Sequence, residues 1–196
     1  MKRIMFKDRY GLTQAVLDGR KTMTRRIIPL CENDLNFLKV ADRGEWLFSS
    51  RTCLDGAYPA YKVGEEAWVA QSYKDLGYEP DDWVENAEGG YQQAHEFAGY
   101  TNKMFVRSLY LTHRIRITGI RAERLQDISD EDCLREGVVK WMHCYIVSGI
   151  MENQGKNNVC FDAPREAFAA LIDRISGKGT WNDNPWVWVY TFEMIR

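Results

Sequence analysis

The chain has no C-x-x-C pair, no apolar run of membrane-spanning length, no recognisable secretory leader, no internal repeat and no low-complexity segment. These absences set aside a paired-cysteine zinc site or dithiol redox motif, a transmembrane helix, and a solenoid. Cys31, Cys53, Cys133, Cys144 and Cys160 are odd in number, and reduced thiols in a cytoplasm are the plain expectation. His143-Cys144 with Cys133 and Cys160 matches no metal-ligand spacing, so no metal is expected, and no cofactor motif is present. A further absence is local. Residues 75–102 hold seven acids and neither lysine nor arginine.

What is there points to a folded domain. At 196 residues, 45% hydrophobic and 28% charged, the composition is globular rather than disordered, and a single domain over 1–196 is expected. Seven Trp, ten Tyr and eight Phe suit a compact β core, or stacking surfaces. The net charge of −2 conceals two basic segments, residues 1–28 at +6 and 103–124 at +5, on either side of the acidic one. Such a basic face fits an anionic partner, nucleic acid being the commonest.

Along the chain, Lys2 to Phe6 reads as a strand, and about residues 9–18 as a helix whose Leu12, Ala15 and Val16 share one face. Gly19 is placed to end that helix in the left-handed conformation. Residues 31–57 read as irregular, with one strand near Glu45–Ser49. A turn over 61–66 leads into a strand at 67–70. Residues 75–102, with Pro80 and four glycines, read as a long surface insertion. Met104 to Leu111 reads as a strand, and Arg114–Thr118 alternates as a half-buried strand does. Ser129 caps a short helix with three acids in its first turn, closed by Gly137. Residues 140–161 form a second insertion. Pro164 opens a third helix that buries Phe168, Leu171, Ile172 and Ile175, and Gly177 closes it. Trp186–Phe192, apolar on both faces, reads as a central strand. Strands with about three short helices and no regular alternation indicate an α+β fold, a small barrel carrying helices.

Two places carry chemistry. Lys21, Thr24, Arg25 and Arg26 follow the glycine break closely, a grouping suited to an anionic or carbonyl-bearing ligand, although cations after a helix also simply answer its dipole. Glu136 falls in the last turn of the Ser129 helix, where a carboxylate is electrostatically disfavoured and hence suited to proton transfer.

Gly19-Arg20-Lys21-Thr22-Met23-Thr24-Arg25-Arg26 resembles the G-x-K-T-x-T/E-x-R signature of the ASCH domain family, a branch of the PUA-like β-barrel fold. Tyr61–Val69 is similar to that family's V-G-D-x-L-W-V segment, and Arg124–Asp132 and Asn184–Val189 match in order, with the two insertions outside the match. The look-alikes are ASCH proteins of phages and bacteria. The resemblance implies a barrel cleft lined by the basic strand, with RNA, a nucleotide or a modified nucleoside as ligand. One bacterial branch hydrolyses the acetyl amide of N4-acetylcytidine with a lysine, a threonine and a glutamate, which Lys21, Thr24 and Glu136 match. The chain is nearly twice the length of that branch.

In such chemistry Thr24 is the nucleophile or positions a water. Lys21, desolvated beside Arg25 and Arg26, is the base, and Glu136 holds Lys21 or shuttles the proton. Arg26 neutralises an oxyanion or phosphate. A regular strand would point Lys21 and Thr24 to opposite faces, so this set requires a bulge or turn after Gly19. Ligand binding alone asks less: Lys21, Arg25, Arg26 and Arg114 or Arg116 bind phosphate, Arg20 and Thr22 add ligand contacts, and Trp68 or Tyr73 stacks a base. Three readings therefore stand: a nucleic-acid or nucleoside binder, an amidohydrolase of a modified nucleoside, and a protein-interaction module using the acidic insertion.

Overall fold

The computed structural model describes residues 1–28, 37–40, 46–49, 58–152 and 157–195. The strands are β1 (Lys2–Ile4), β2 (Met23–Ile27), β3 (Phe37–Val40), β4 (Trp46–Ser49), β5 (Glu66–Val69), β6 (Trp83–Glu85) and β7 (Tyr91–Gln93). They continue with β8 (Arg114–Arg124), β9 (Val139–Trp141), β10 (Cys144–Ile146), β11 (Met151–Glu152), β12 (Asn157–Asn158) and β13 (Trp186–Ile195). The α-helices are α1 (Leu12–Leu17), α2 (Asp130–Arg135), α3 (Pro164–Ser176) and a single turn, α4 (Thr180–Asp183). The fold is α+β. A mixed five-stranded sheet runs in the order β1-β5-β8-β13-β2, and the remaining strands form antiparallel two-stranded sheets. None of the helices among the described residues is long and apolar enough to cross a membrane.

The chain divides into two compact units. The first comprises Met1–Phe6, Glu66–Ile115 and Ile195–Arg196, and the second Lys7–Glu65 and Arg116–Met194. In the first unit β1 pairs in parallel with β5, and the 75–111 stretch folds around its own core of Tyr73, Val84, Ala94, Val106 and Leu111. Tyr73 sits at its centre, edge-on to Tyr78, Phe97 and Tyr110 with ring centroids 5.4–5.7 Å apart. The surface insertion is thus a packed aromatic cluster carrying the β6–β7 hairpin, with most of its acids exposed.

The expected strand over Met104–Leu111 is corrected to two 3-10 turns, Lys103–Phe105 and Ser108–Tyr110. Its apolar residues lack the period of two that a strand needs: Val106 and Leu111 are buried, whereas Met104, Phe105 and Leu109 are exposed. Asn102 caps the first turn by accepting the Met104 N–H at 3.1 Å.

In the second unit β13 is a central strand, buried along Val187–Tyr190 and antiparallel to β2. Helix α1 buries Leu12, Ala15 and Val16, and Gly19 follows in the left-handed region at φ 73°. Ser129 caps α2, accepting the Asp132 N–H at 3.1 Å, and Gly177 ends α3. Within 31–57 the strand expected near Glu45–Ser49 is β4, the irregular reading is corrected by β3, which pairs with it, and the rest of that segment, with Cys31 and Cys53, lies outside the described residues. The second insertion contains the β9–β10 and β11–β12 hairpins. Cys144 and Cys160 are joined there as a disulfide with Cα atoms 5.5 Å apart, which corrects the expectation of reduced thiols for this pair. The Tyr145–Phe161 bridge brings them together, and no local spacing signals that. Cys133 is free and buried, its thiol pushed up to about 12 by desolvation.

Candidate functional site

The site grows from the way two helices end. Beyond Gly19 the chain leaves α1 in a turn, with the Lys21 N–H donating to Ala15 O and the Thr22 N–H donating to Arg135 O at the end of α2. Lys21 therefore precedes β2, which starts at Met23, so strand alternation does not dictate where its side chain points. This turn frees Lys21 from the alternation of β2, and its side chain joins Arg25 on Glu136, whereas Thr24 belongs to the strand.

Glu136 closes α2, and its side chain is buried despite lying at the negative end of the helix. The Lys21 ammonium resolves that conflict. It donates to the Glu136 carboxylate at 2.6 Å and to the Glu136 carbonyl at 2.7 Å, so one cation satisfies both the side chain and the helix terminus. Gly137, at φ 109°, makes room for this: a Cβ there would lie 2.9 Å from Leu12 Cδ2 and 3.8 Å from Lys21 Cδ.

Arg25 ties the pair into a network. Its guanidinium donates to Glu136 at 3.0 Å, to Glu123 at 2.5 and 3.1 Å, and to Asp132 at 3.3 Å, and lies 5.9 Å from the Phe168 ring centroid. Arg121 bonds Glu123 and Asp132 at 2.7 and 2.6 Å, and Arg135 reaches Asp132 at 3.4 Å. Four cations meet three carboxylates, an excess of one positive charge. Burial holds the Lys21 ammonium below its ordinary range. Glu136 pulls it back up, and the fields of Arg26 and Arg25 add to the lowering.

The other face of β2 differs. Register sets Thr24 opposite Tyr190 and Arg26 opposite Trp188, so Thr24 and Arg26 share the face away from Arg25. Thr24 is buried, whereas Arg26 is exposed. Tyr190 accepts the Ala60 N–H at 2.8 Å, and Tyr61 stands edge-on to it at 5.4 Å.

The other candidate residues are placed as follows. Arg20 is exposed and paired with Asp18 at 2.8 Å, and Thr22 accepts from Arg135 at 3.1 Å. Arg116 pairs with Glu193 at 3.6 Å. In the first unit Arg114 bonds Glu66 at 3.1 Å and lies over the Trp68 ring at 5.5 Å. Tyr73 is fully buried, so the stacking role given to it is corrected: its ring faces are spent on its own core. Lys21 and Arg25 are likewise buried and bound to carboxylates, so they are not surface phosphate ligands.

Glu123, Asp132, Arg121 and Arg135 complete the network and were not candidates from sequence. The one hint was Glu123, the sole acid in an otherwise basic segment. Among the described residues no group of three or more His, Cys, Asp or Glu side chains is arranged to hold a metal ion. Comparison of the chain with family models, curated proteins and solved structures yields no match.

Proposed function

We propose that the chain is an ASCH-type domain of the PUA-like barrel class that binds a nucleoside, free or within RNA, and hydrolyses an acyl amide on its base. The observation that carries this reading is the Lys21–Glu136 contact of 2.6 Å between two side chains only 2% and 5% exposed. A phosphate-binding lysine gains nothing from being buried on a carboxylate. A proton-transfer lysine does: desolvation lowers its pKa and so favours the neutral form, and the carboxylate can hand the proton on.

In this reading Thr24 Oγ attacks the amide carbonyl carbon and its proton passes to the neutral Lys21 amine. Arg26 neutralises the oxyanion. The C–N bond then breaks, with the proton returned through Lys21 and Glu136 to the leaving amine, and water hydrolyses the threonine ester. The same residues serve if Thr24 positions the attacking water instead. Plain binding is the second reading, favoured by the exposure of Arg26.

The test is hydrolysis of N4-acetylcytidine by the purified chain. Lys21→Ala and Glu136→Gln are each expected to lower kcat by about 100-fold or more, with folding checked by circular dichroism. An inactive wild type that nevertheless binds RNA with a steep salt dependence, unaffected by Glu136→Gln, would leave binding alone.

A further inference from the structure

With Tyr73 enclosed in its own core and the Trp68 ring covered by Arg114, the base of the reading above needs another aromatic surface. We infer that Tyr61 receives it, its ring held in place by Tyr190, so that the face of β2 carrying Thr24 and Arg26 forms a subsite for a planar heteroaromatic ring. This inference rests on the proposed function and adds the residue that selects the substrate.

Three observations converge on Tyr61. Register makes Tyr190 the cross-strand neighbour of Thr24, the residue assigned to attack. The Tyr190 ring is fully buried and its hydroxyl accepts the Ala60 N–H at 2.8 Å, which pins the 60–61 backbone to that position. Tyr61 then stands perpendicular to Tyr190, with ring centroids 5.4 Å apart, and is only half-buried. An edge-on contact uses the edge of one ring against the face of the other, and a half-buried tyrosine retains surface for a further flat partner. Arg26 shares with Thr24 the face of β2 that Tyr190 adjoins, and its charge opposes the effect of burial on both Tyr61 and Tyr190. A ring stacked beside a guanidinium suits a base bearing carbonyl oxygens, and stacking tolerates any base identity. Selection here is therefore for a planar base as a class.

The experiment compares two amides, N4-acetylcytidine and the ring-free N-acetylethylamine, on wild type, Tyr61→Leu and Tyr61→Phe. Tyr61→Leu is expected to raise KM for acetylcytidine by about 5- to 100-fold, with kcat and the ring-free amide little changed, and Tyr61→Phe to stay near wild type. Equal effects on both amides, or an unchanged KM, overturn the subsite while leaving the hydrolase reading intact. If wild type hydrolyses neither amide, that reading falls, and cytidine binding decides the subsite: affinity lost in Tyr61→Leu supports it, and no wild-type affinity ends it. Should Tyr61→Leu fail to fold, contacts by nuclear Overhauser effect between the base H5 and H6 and the Tyr61 ring of the wild type support the subsite, and their absence overturns it.

Discussion

Two charged stretches of this chain look alike in sequence and end up opposite in structure. Residues 20–26 and 75–102 are both dominated by charge of one sign, one positive and one negative. The basic stretch buries Lys21 and Arg25 and spends them on Glu136, Glu123 and Asp132. The acidic stretch leaves most of its acids exposed and buries Val84 and Ala94 against Tyr73. A run of one charge sign therefore reports the field a segment carries and not its depth. Depth is decided by what the rest of the chain offers: carboxylates for one stretch, aromatic rings for the other.

The largest expected effect comes from breaking the charged region. Glu136→Leu leaves the Lys21 ammonium buried without its carboxylate and should cost about 3–5 kcal/mol in urea unfolding. Lys21→Met in the same background should recover part of that loss, because the pair then leaves together. Strict additivity of the two changes would show that they are not coupled. In the aromatic region, Tyr73→Ala should cost about 3–5 kcal/mol by emptying the centre of its core. A surface stacking residue would behave in the opposite way, losing ligand affinity with little change in stability.

A smaller effect sharpens the same contrast. A Cβ on Gly99 would lie 2.7 Å from Tyr73 Cε2 and 3.2 Å from the Phe105 carbonyl carbon, so Gly99→Ala overfills a site with no room to give. It should cost about 1–3 kcal/mol, read from the unfolding midpoint. A loosely packed insertion would absorb the methyl group without loss.

How much of this was legible follows from the range of each signal. Gly19 as a helix stop, the Ser129 cap and the Gly137 closure are local, and each stands where its chemistry places it. Ile115 and Ile117 alternate and are both fully buried, as a half-buried strand requires. Lys21 and Glu136, 115 residues apart, were paired only through the family resemblance, and they meet. The partners of Arg25 could not be read: Glu123 and Asp132 lie 98 and 107 residues away, and Asp132 already had a local explanation as a first-turn acid. The 103–110 turns carry the apolar content of a strand without its period of two, and composition alone does not separate the two.

The smallest effect is a pH dependence that separates the two regions by sign. Burial lowers the Lys21 pKa from 10.5, so as pH rises toward 10.5 the folded state sheds this proton first. The unfolded chain then binds more protons, and stability rises with pH over the window between the folded value and 10.5. Below the window both states hold the proton, and the full cost of burying the charge is present. Cys133 works the other way: its thiol is raised from 9.0 to about 12, so the unfolded state ionises first and stability falls above pH 9. The buried tyrosines, Tyr73 among them, share that downward sign. The measurement is therefore the difference between wild type and Lys21→Met across pH 7 to 10.5, in which the thiol and tyrosine contributions cancel. The wild type is expected to gain relative to the variant as pH rises. A flat difference would mean that Glu136 fully offsets the burial, leaving Lys21 a structural cation rather than a base.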